Sequence, residues 1–475
     1  MATTGETEHD LAVIGGGPGG YATALYGAAA GLSVAIVERD KVGGTCLHRG
    51  CVPAKEFLET ASVLRTVTGA SQFGIGGRER PALDFSVSQA RKTTVVDQLF
   101  RGLSGLLRSR KVTILSGTGT LLPGRRVRVV DGEDAGREIS GRHVVLAAGS
   151  VPRTLPGLDV DGQLVLTSDE FLDLAEVPPS VAVVGGGAIG CEFASLLSDL
   201  GARVTVVEAL ESILAGCDEE IAAVVARSFR KRGIEVVTGA QVKGHTPKGD
   251  GTGTVVALAG GREIDVAKVV VSVGRRPRSE GLLTGETGVW LDERGFVVAN
   301  RFQQTHTQNV WAVGDLVAGT PQLAHVAFAE GVQVVKGVLG ETMVPVDYER
   351  VPWAIYCHPE VAFAGLTEVQ AVARGIEVVV KKDPFGGNSR ARIIGDTDGL
   401  VKVVCRRQPD GSGGQILGVH MAGPWVTELL GPGYLAVNWE ATADEVAQFI
   451  QPHPSLSETF GETVLALTGR GLHVG

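Results

Sequence analysis

The sequence predicts an α/β protein: two doubly wound parallel units followed by a smaller C-terminal α+β domain. Two observations carry that expectation. An apolar strand, a glycine-rich turn, a helix, a second strand and a closing acid follow one another at residues 11–38, and the same series returns at residues 181–208. From about Tyr348 onward, short strand-like runs replace the alternation of strand and helix. A chain of 475 residues also needs more than one core; at about 150 residues per domain it should hold roughly three.

In the first series, Leu11-Ala12-Val13-Ile14 leads into Gly15-Gly16-Gly17-Pro18-Gly19-Gly20, residues 21–31 read as an Ala-rich helix, and residues 33–37 read as a strand ending at Glu38. A dinucleotide-binding fold requires this order. Gly15 permits the tight turn, Gly17 lets the backbone approach a pyrophosphate, Gly20 lets helix and strand pack closely, and Glu38 accepts ribose hydroxyls. A lone glycine triplet would say little; strand, helix and acid in register make it specific. In the second series Val181-Ala182-Val183-Val184 feeds Gly185-Gly186-Gly187-Ala188-Ile189-Gly190, a helix follows from Cys191, and residues 203–207 form a strand ending at Glu208. A carboxylate there pairs with a free ribose 2′-hydroxyl and repels a 2′-phosphate, which favours NAD over NADP.

Between the two series lies Gly43-Gly44-Thr45-Cys46-Leu47-His48-Arg49-Gly50-Cys51-Val52-Pro53-Ala54-Lys55. Cysteines five positions apart can close a small disulfide loop, and an accessible disulfide suits exchange better than stapling. If Val52-Pro53 opens a helix, Cys51 lies near its N-terminus, where the dipole favours a thiolate, and Lys55 adds positive charge. Two free thiols, or half of a zinc site, fit the same spacing; zinc needs about four ligands, and the chain has no second close cysteine pair. Cys191, Cys217, Cys357 and Cys405 are scattered and read as buried thiols.

Residues 97–108 place Leu99, Phe100, Leu103, Leu106 and Leu107 at helical spacing, which predicts one core-facing stripe. Residues 112–115, 127–130 and 143–147 read as strands, the last just before Gly149. Val151-Pro152-Arg153 breaks regular structure and marks a crossing into the second unit. A strand over 269–273 ends in Gly274-Arg275-Arg276-Pro277, a crossing back. Residues 309–315 form a strand with Asp315 at its tip, where a doubly wound sheet faces its ligand, although a solvated turn aspartate fits too. Residues 361–365, 377–380, 399–404 and 415–420 read as an antiparallel sheet, and 427–438 and 443–450 as helices. His453 then sits between two prolines with Glu458 in reach to orient it, a candidate acid–base group. A surface histidine beside a helix-capping acid accounts for the same residues.

Hydrophobic residues at 44%, charged residues at 20% and a net charge of −9 describe a globular protein without a general nucleic-acid surface. Residues 1–10 are polar and acidic, unlike a secretory signal, and no apolar run approaches the ~20 residues that span a bilayer. The expectation is a cytoplasmic protein with no metal, membrane or nucleic-acid partner.

The two turns with Glu38 and Glu208, the Cys46/Cys51 loop, Ala312-Val313-Gly314-Asp315, Gln322-Leu323-Ala324-His325, His358-Pro359-Glu360-Val361 and the His453-Pro454/Glu458 loop together resemble the flavin-dependent pyridine-nucleotide disulfide oxidoreductases. The resemblance covers nearly the whole chain and is strongest to members that oxidise dihydrolipoamide. It implies two Rossmann-like domains: an FAD-binding domain (1–153 and 276–346) and an NAD-binding domain (154–275). A C-terminal interface/dimerisation domain (347–475) and a homodimer complete the picture. FAD would meet Gly15, Gly17, Gly20, Glu38, Gly44, Thr45, Lys55, Gly119, Gly149, Asp315, Leu323, Ala324 and His325, while NAD would meet Gly185, Gly187, Ile189, Gly190, Glu208 and Gly274. Cys51 would lie against the flavin and Cys46 would exchange with substrate. Lys55 and Glu192 would form an ion pair near the flavin. His453, held by Glu458, would be the base and would come from the other subunit. The implied partner is the lipoyl domain of a 2-oxo acid dehydrogenase complex. Gln451 and Ser455 depart from the His and Thr common in the family. Reductases of glutathione or mycothiol share the architecture, but they generally use NADPH, against Glu208; a non-enzymatic binding subunit would leave the cysteines idle.

Overall fold

A computed structural model describes residues 7–76 and 81–473. It divides into two compact units. The first comprises the chain up to Glu56, Ser86–Arg153 and Gly274–Tyr348; the second comprises Phe57–Phe85, Thr154–Val273 and the chain from Glu349.

In the first unit, parallel strands lie in the order Thr113–Ser116, Val34–Glu38, Thr7–Ile14 and Glu138–Leu146, and Val310–Ala312 adds to the far side of the last. Arg126–Val129 and Gly119–Leu122 extend the sheet antiparallel. Side chains alternate along a strand, so one strand feeds two cores. Leu11 and Val13 pack with Ile36, Val145 and Val334 on one face. Ala12 and Ile14 pack with Leu115, Val127 and Leu146 on the other. Both faces of the parallel sheet are thereby covered, as such sheets require. Helices Pro18–Ala29 and Ala324–Val338 pack closely because residue 331 is glycine: a Cβ there would lie 2.7 Å from Thr23 Oγ1 and 2.9 Å from the Gly19 carbonyl oxygen.

Two expectations change here, and one strand is added. The helix containing 97–108 runs from Phe85 to Ser109, and its stripe is not uniformly core-facing. Leu107 is buried and Phe100 and Leu103 pack partly, but Leu99 is 49% and Leu106 43% exposed. At about 100° per residue, Phe100 and Leu107 occupy one edge of the stripe and Leu99 and Leu106 the other, and only the first edge meets the core. Val151-Pro152 does not break regular structure. Ser150–Pro152 pairs antiparallel with Arg275–Pro277, so the two crossing segments form a short ribbon. Gly119–Leu122 is a strand that the sequence pattern did not suggest. Its glycine serves packing, since a Cβ at 119 would lie 2.9 Å from Ile14 Cγ2 and 3.1 Å from Val37 Cγ1.

The second unit has a parallel sheet in the order Glu235–Val237, Arg203–Val207, Ser180–Val184, Lys268–Val271, Val165–Leu166. A three-stranded meander, Val242–Pro247, Thr254–Leu258 and Glu263–Val266, shares its core. The helix after the second glycine turn begins at Ala188, ahead of Cys191. The C-terminal strands form an antiparallel sheet ordered Trp353–Ile355, Glu360–Gly365, Gly413–Gly423, Leu400–Arg407, Val378–Pro384, with helices Val426–Asn438 and Glu458–Leu467 buried against it. The helix expected over 443–450 stops at Val446, leaving Phe449 69% and Ile450 97% exposed. Pro452 has no N–H for the Gln448 carbonyl and pushes Gln451 out of the helical region, so a helix could not run on through this segment.

Lys402, 3% exposed in this sheet, reaches Asp218 at 2.9 Å, Glu220 at 2.7 Å and Glu368 at 3.0 Å. Burial alone would lower its pKa, but these carboxylates outweigh it and raise it. Asp218 is equally buried and caps the helix Glu219–Lys231. Lys402→Met should therefore destabilise the protein by about 3–5 kcal/mol, because it strands a buried carboxylate. Thermal melting checks this, and adding Asp218→Asn should restore part of the loss.

Candidate active site

The disulfide loop begins with Gly43 (φ +109°) and Gly44 (φ +58°), which turn the chain from the strand Val34–Glu38 into the short helix Gly44–Arg49. Only glycine takes such angles readily. Cys46 and Thr45 lie on this helix and Cys51 opens the next, Cys51–Gly69. Their sulfurs form a disulfide with Cα atoms 4.6 Å apart, which removes the free-thiol reading. Cys51 is exposed and Cys46 half-buried. Lys55 lies one turn beyond Cys51 and is half-buried. The other four cysteines are free and buried, as expected. Among the described residues no group of three or more His, Cys, Asp or Glu could hold a metal ion.

The loop packs directly on the first glycine turn. Gly43 N–H donates to the Gly16 carbonyl at 2.8 Å, and a Cβ on Gly44 would lie 2.6 Å from Gly17 Cα. Within the turn, Gly15 has φ +103°, and a Cβ there would sit 2.3 Å from the Ala147 carbonyl oxygen; one on Gly20 would sit 1.8 Å from the Gly15 carbonyl oxygen. At Gly17, by contrast, a Cβ would meet nothing closer than Gly44 Cα at 3.9 Å. Gly17 caps the helix Pro18–Ala29 without any side-chain cap, and the first turn carries no acid. Its N–H groups and positive dipole end are left to an anion. Glu38 closes the turn, accepting from Gly16 N–H at 2.6 Å and Asp40 N–H at 2.9 Å.

The second turn repeats this geometry. Gly185 has φ +106° with Ser272 O 2.5 Å from a would-be Cβ, Gly190 would meet the Gly185 carbonyl oxygen at 1.9 Å, and Gly187 faces open space. Gly187 caps the helix Ala188–Leu200, again with no side-chain cap and no first-turn acid; Ile189 lies in that turn. Glu208 accepts from Gly186 N–H at 2.6 Å and Leu210 N–H at 2.8 Å. Cys191 donates its thiol to the Gly186 carbonyl, and burial pushes its pKa up. Both cradles fit a dinucleotide: an unfilled glycine, an uncapped helix end and a carboxylate where a ribose would lie.

Asp315 sits in the turn Gly314–Leu316 after the strand Val310–Ala312. Its carboxylate accepts from the Ser150 hydroxyl, and Arg275 Nε lies 3.8 Å from it while donating to Ser150 Oγ at 2.7 Å. Ser150 and Arg275 were not anticipated; the Gly274-Arg275-Arg276-Pro277 crossing was the one signal that could have found Arg275. Gly149 (φ +70°) precedes Ser150, and Gly274 (φ +97°) accepts from Arg153 N–H at 3.0 Å. Leu323 caps the helix Ala324–Val338 without a side-chain cap, and its first turn holds Ala324 and exposed His325.

In the second unit, Glu192 is 5% exposed on the helix Ala188–Leu200 and accepts from Tyr356 N–H at 2.9 Å. His453 is exposed and its Nδ1 lies 2.8 Å from Glu458 Oε1, while Glu458 Oε2 accepts from Ser455 N–H at 2.7 Å. Burial pushes the Glu458 pKa up, but the bonds from Ser455 and His453 outweigh it and hold the carboxyl below its usual value. An ionised Glu458 takes the proton side of Nδ1, so the lone pair falls on Nε2, the tautomer a general base needs.

Residues 9–331 match the family described as pyridine nucleotide-disulphide oxidoreductase, and residues 351–464 match its dimerisation domain. The chain belongs to the pyridine nucleotide-disulphide oxidoreductase family. Among members of this family, it is 41% identical to a dihydrolipoyl dehydrogenase of Bacillus subtilis, over 98% of this chain and 99% of the relative. It is 34% identical to the mitochondrial dihydrolipoyl dehydrogenase of Pisum sativum, over 99% and 94%. The solved structure of LpdA from Mycobacterium tuberculosis superposes with a TM-score of 0.90 at 27% identity, covering 97% of this chain and 99% of that one. FAD and NAD are the cofactors of this pyridine nucleotide-disulphide oxidoreductase, and its dimerisation domain supports a homodimer. Among the described residues no helix is long and apolar enough to cross a membrane.

Proposed function

We propose that the chain oxidises dihydrolipoamide to lipoamide and passes the electrons to NAD, working in the cytoplasm on the lipoyl domain of a 2-oxo acid dehydrogenase complex. The observation that carries this reading is the Cys46–Cys51 disulfide packed on the first glycine turn, with the Gly43–Gly16 bond at 2.8 Å. A thiol-exchanging pair beside a dinucleotide cradle joins sulfur chemistry to a redox cofactor, and relatives across the full length are dihydrolipoyl dehydrogenases. In this reading residues 1–153 and 276–346 bind FAD, 154–275 bind NAD, and 347–475 form the interface.

His453 Nε2 takes a proton from one dihydrolipoamide thiol, with Glu458 holding the ring and stabilising the imidazolium. The substrate thiolate attacks Cys46 Sγ, the Cys46–Cys51 bond breaks, and Cys51 leaves as a thiolate. The second substrate thiol loses its proton to solvent and attacks the substrate sulfur of the mixed disulfide; Cys46 departs as a thiolate, and lipoamide closes its ring. Two electrons pass from substrate to the cysteine pair. Cys51, at the first position of its helix, has a dipole that favours its thiolate, and Lys55 adds charge; Glu192 is its proposed counter-ion. When bound, FAD and NAD supply the two-electron acceptance that returns the pair to a disulfide. Gly15, Gly17 and Gly20 would seat the FAD pyrophosphate, Glu38 its ribose and Asp315 its sugar-like linker. Gly44, Thr45, Gly119, Gly149 and the helix end at Leu323, Ala324 and His325 would complete that site. Gly185, Gly187, Ile189, Gly190 and Gly274 would line the NAD site, with Glu208 on the ribose.

Steady-state assay of dihydrolipoamide with NAD against NADP tests the reading. NAD should be preferred by at least about tenfold, since a 2′-phosphate beside Glu208 adds like-charge repulsion. Equal rates with NADP, or faster NADPH-driven reduction of glutathione or mycothiol disulfides, would overturn it.

A further inference from the structure

Glu330 is fully buried on the helix Ala324–Val338, two turns from the helix end, and the reaction above does not use it. One carboxylate oxygen accepts the backbone N–H of Gly314 at 2.6 Å, and the other accepts the hydroxyl of Tyr348 at 2.7 Å. Tyr348 Oη in turn accepts from Gln303 Nε2 at 2.7 Å. Gly314 is buried with φ +73° and begins the turn that carries Asp315. A buried N–H in such a turn needs a partner, and this carboxylate supplies it.

We propose that Glu330 is a positioning residue for Asp315: by holding Gly314 N–H it fixes the turn that aims the Asp315 carboxylate, and so sets how tightly FAD is retained. The inference rests on the reading that Asp315 meets the flavin linker. The role belongs to reach and hydrogen bonding rather than to charge. Burial pushes the Glu330 carboxyl up to about 7, against the pull of the Tyr348 and Gly314 bonds, and the neighbouring Asp315 charge pushes it the same way. A neutral acceptor is therefore tolerated there. Among the described residues Gln303 Oε1 is buried with no hydrogen-bond partner, so one end of that amide is unpaired whichever way it is turned. If residue 330 were an amide, its N–H₂ could donate to Tyr348 Oη, and a flipped Gln303 amide would offer that orphan oxygen to the Tyr348 hydroxyl.

Two conservative variants separate the possibilities. Glu330→Gln keeps the length and drops the charge; Glu330→Asp keeps the charge and withdraws it by one methylene from Gly314. Apoprotein of each is reconstituted with FAD, and affinity is followed by flavin fluorescence, with apoprotein melting as a control. The expected result is Glu330→Gln within about twofold of the parent and Glu330→Asp weaker by about tenfold, the size of one buried hydrogen bond. Unchanged FAD affinity in Glu330→Asp would overturn the proposal, and so would a loss in Glu330→Gln as large as in Glu330→Asp. Asp315→Asn, measured alongside, separates the two claims. If it leaves FAD affinity unchanged, the reading of Asp315 fails; if it weakens FAD while Glu330→Asp does not, the positioning role fails.

Discussion

Cys46→Ser is expected to abolish dihydrolipoamide turnover while FAD stays bound. Exchange needs a sulfur that can accept a thiolate and later leave as one, and a serine hydroxyl does neither at neutral pH. Cofactor retention has a separate basis. Gly15, Gly17, Gly20 and Glu38 build the first cradle from backbone shape and one carboxylate, and the loop grips that cradle through Gly43 and Gly44 rather than through a sulfur. The variant should therefore be yellow and inactive, with Cys51 as one additional free thiol. Flavin absorbance after gel filtration and a dihydrolipoamide–NAD assay read the two properties on one sample. Retained turnover would remove Cys46 from the exchange.

His453→Gln is expected to lower the rate by roughly 10²–10⁴, the usual worth of a positioned general base. Glutamine has an amide that can still meet Glu458 and fill the space between the flanking prolines, but it takes no proton. The loop should survive because Glu458 is also held by Ser455 N–H at 2.7 Å. Comparing dihydrolipoamide oxidation with NADH-dependent reduction of an artificial acceptor localises the defect, since the second reaction needs no thiol deprotonation. A near-unchanged rate of dihydrolipoamide oxidation would make His453 a structural residue.

Much of this molecule was legible in its sequence because the decisive features are local. Gly15 and Gly185 are required by backbone angles, Gly20 and Gly190 by the carbonyl one turn away, and Glu38 and Glu208 by their place at a strand end. Each follows from a few neighbouring residues. The spacing of Cys46 and Cys51 fitted a disulfide, free thiols or half a zinc site, and the bond itself removes the last two. The features missed are those decided across long separations. Ser150 and Arg275 meet because two crossing segments pair as a ribbon, and Glu330 meets Gly314 because a helix returns under the turn before it. Periodicity also reports that a stripe is apolar without reporting how much of it is covered: the stripe at 97–108 is wider than the surface it meets, so Leu99 and Leu106 remain exposed. Likewise 443–450 reads as helical from its pattern, while the helix ends at Val446 and Phe449 and Ile450 remain exposed.

The central claim, that dihydrolipoamide delivers its electrons to the Cys46–Cys51 pair, can be read by counting thiols. The holoenzyme is mixed anaerobically with excess dihydrolipoamide and no NAD, quenched in acid, freed of small molecules and titrated unfolded. Four of the six cysteines are free in the oxidised protein and two are joined, so the count should rise from four to six per chain, with lipoamide formed in step. A count that stays at four while the flavin is reduced would contradict the account.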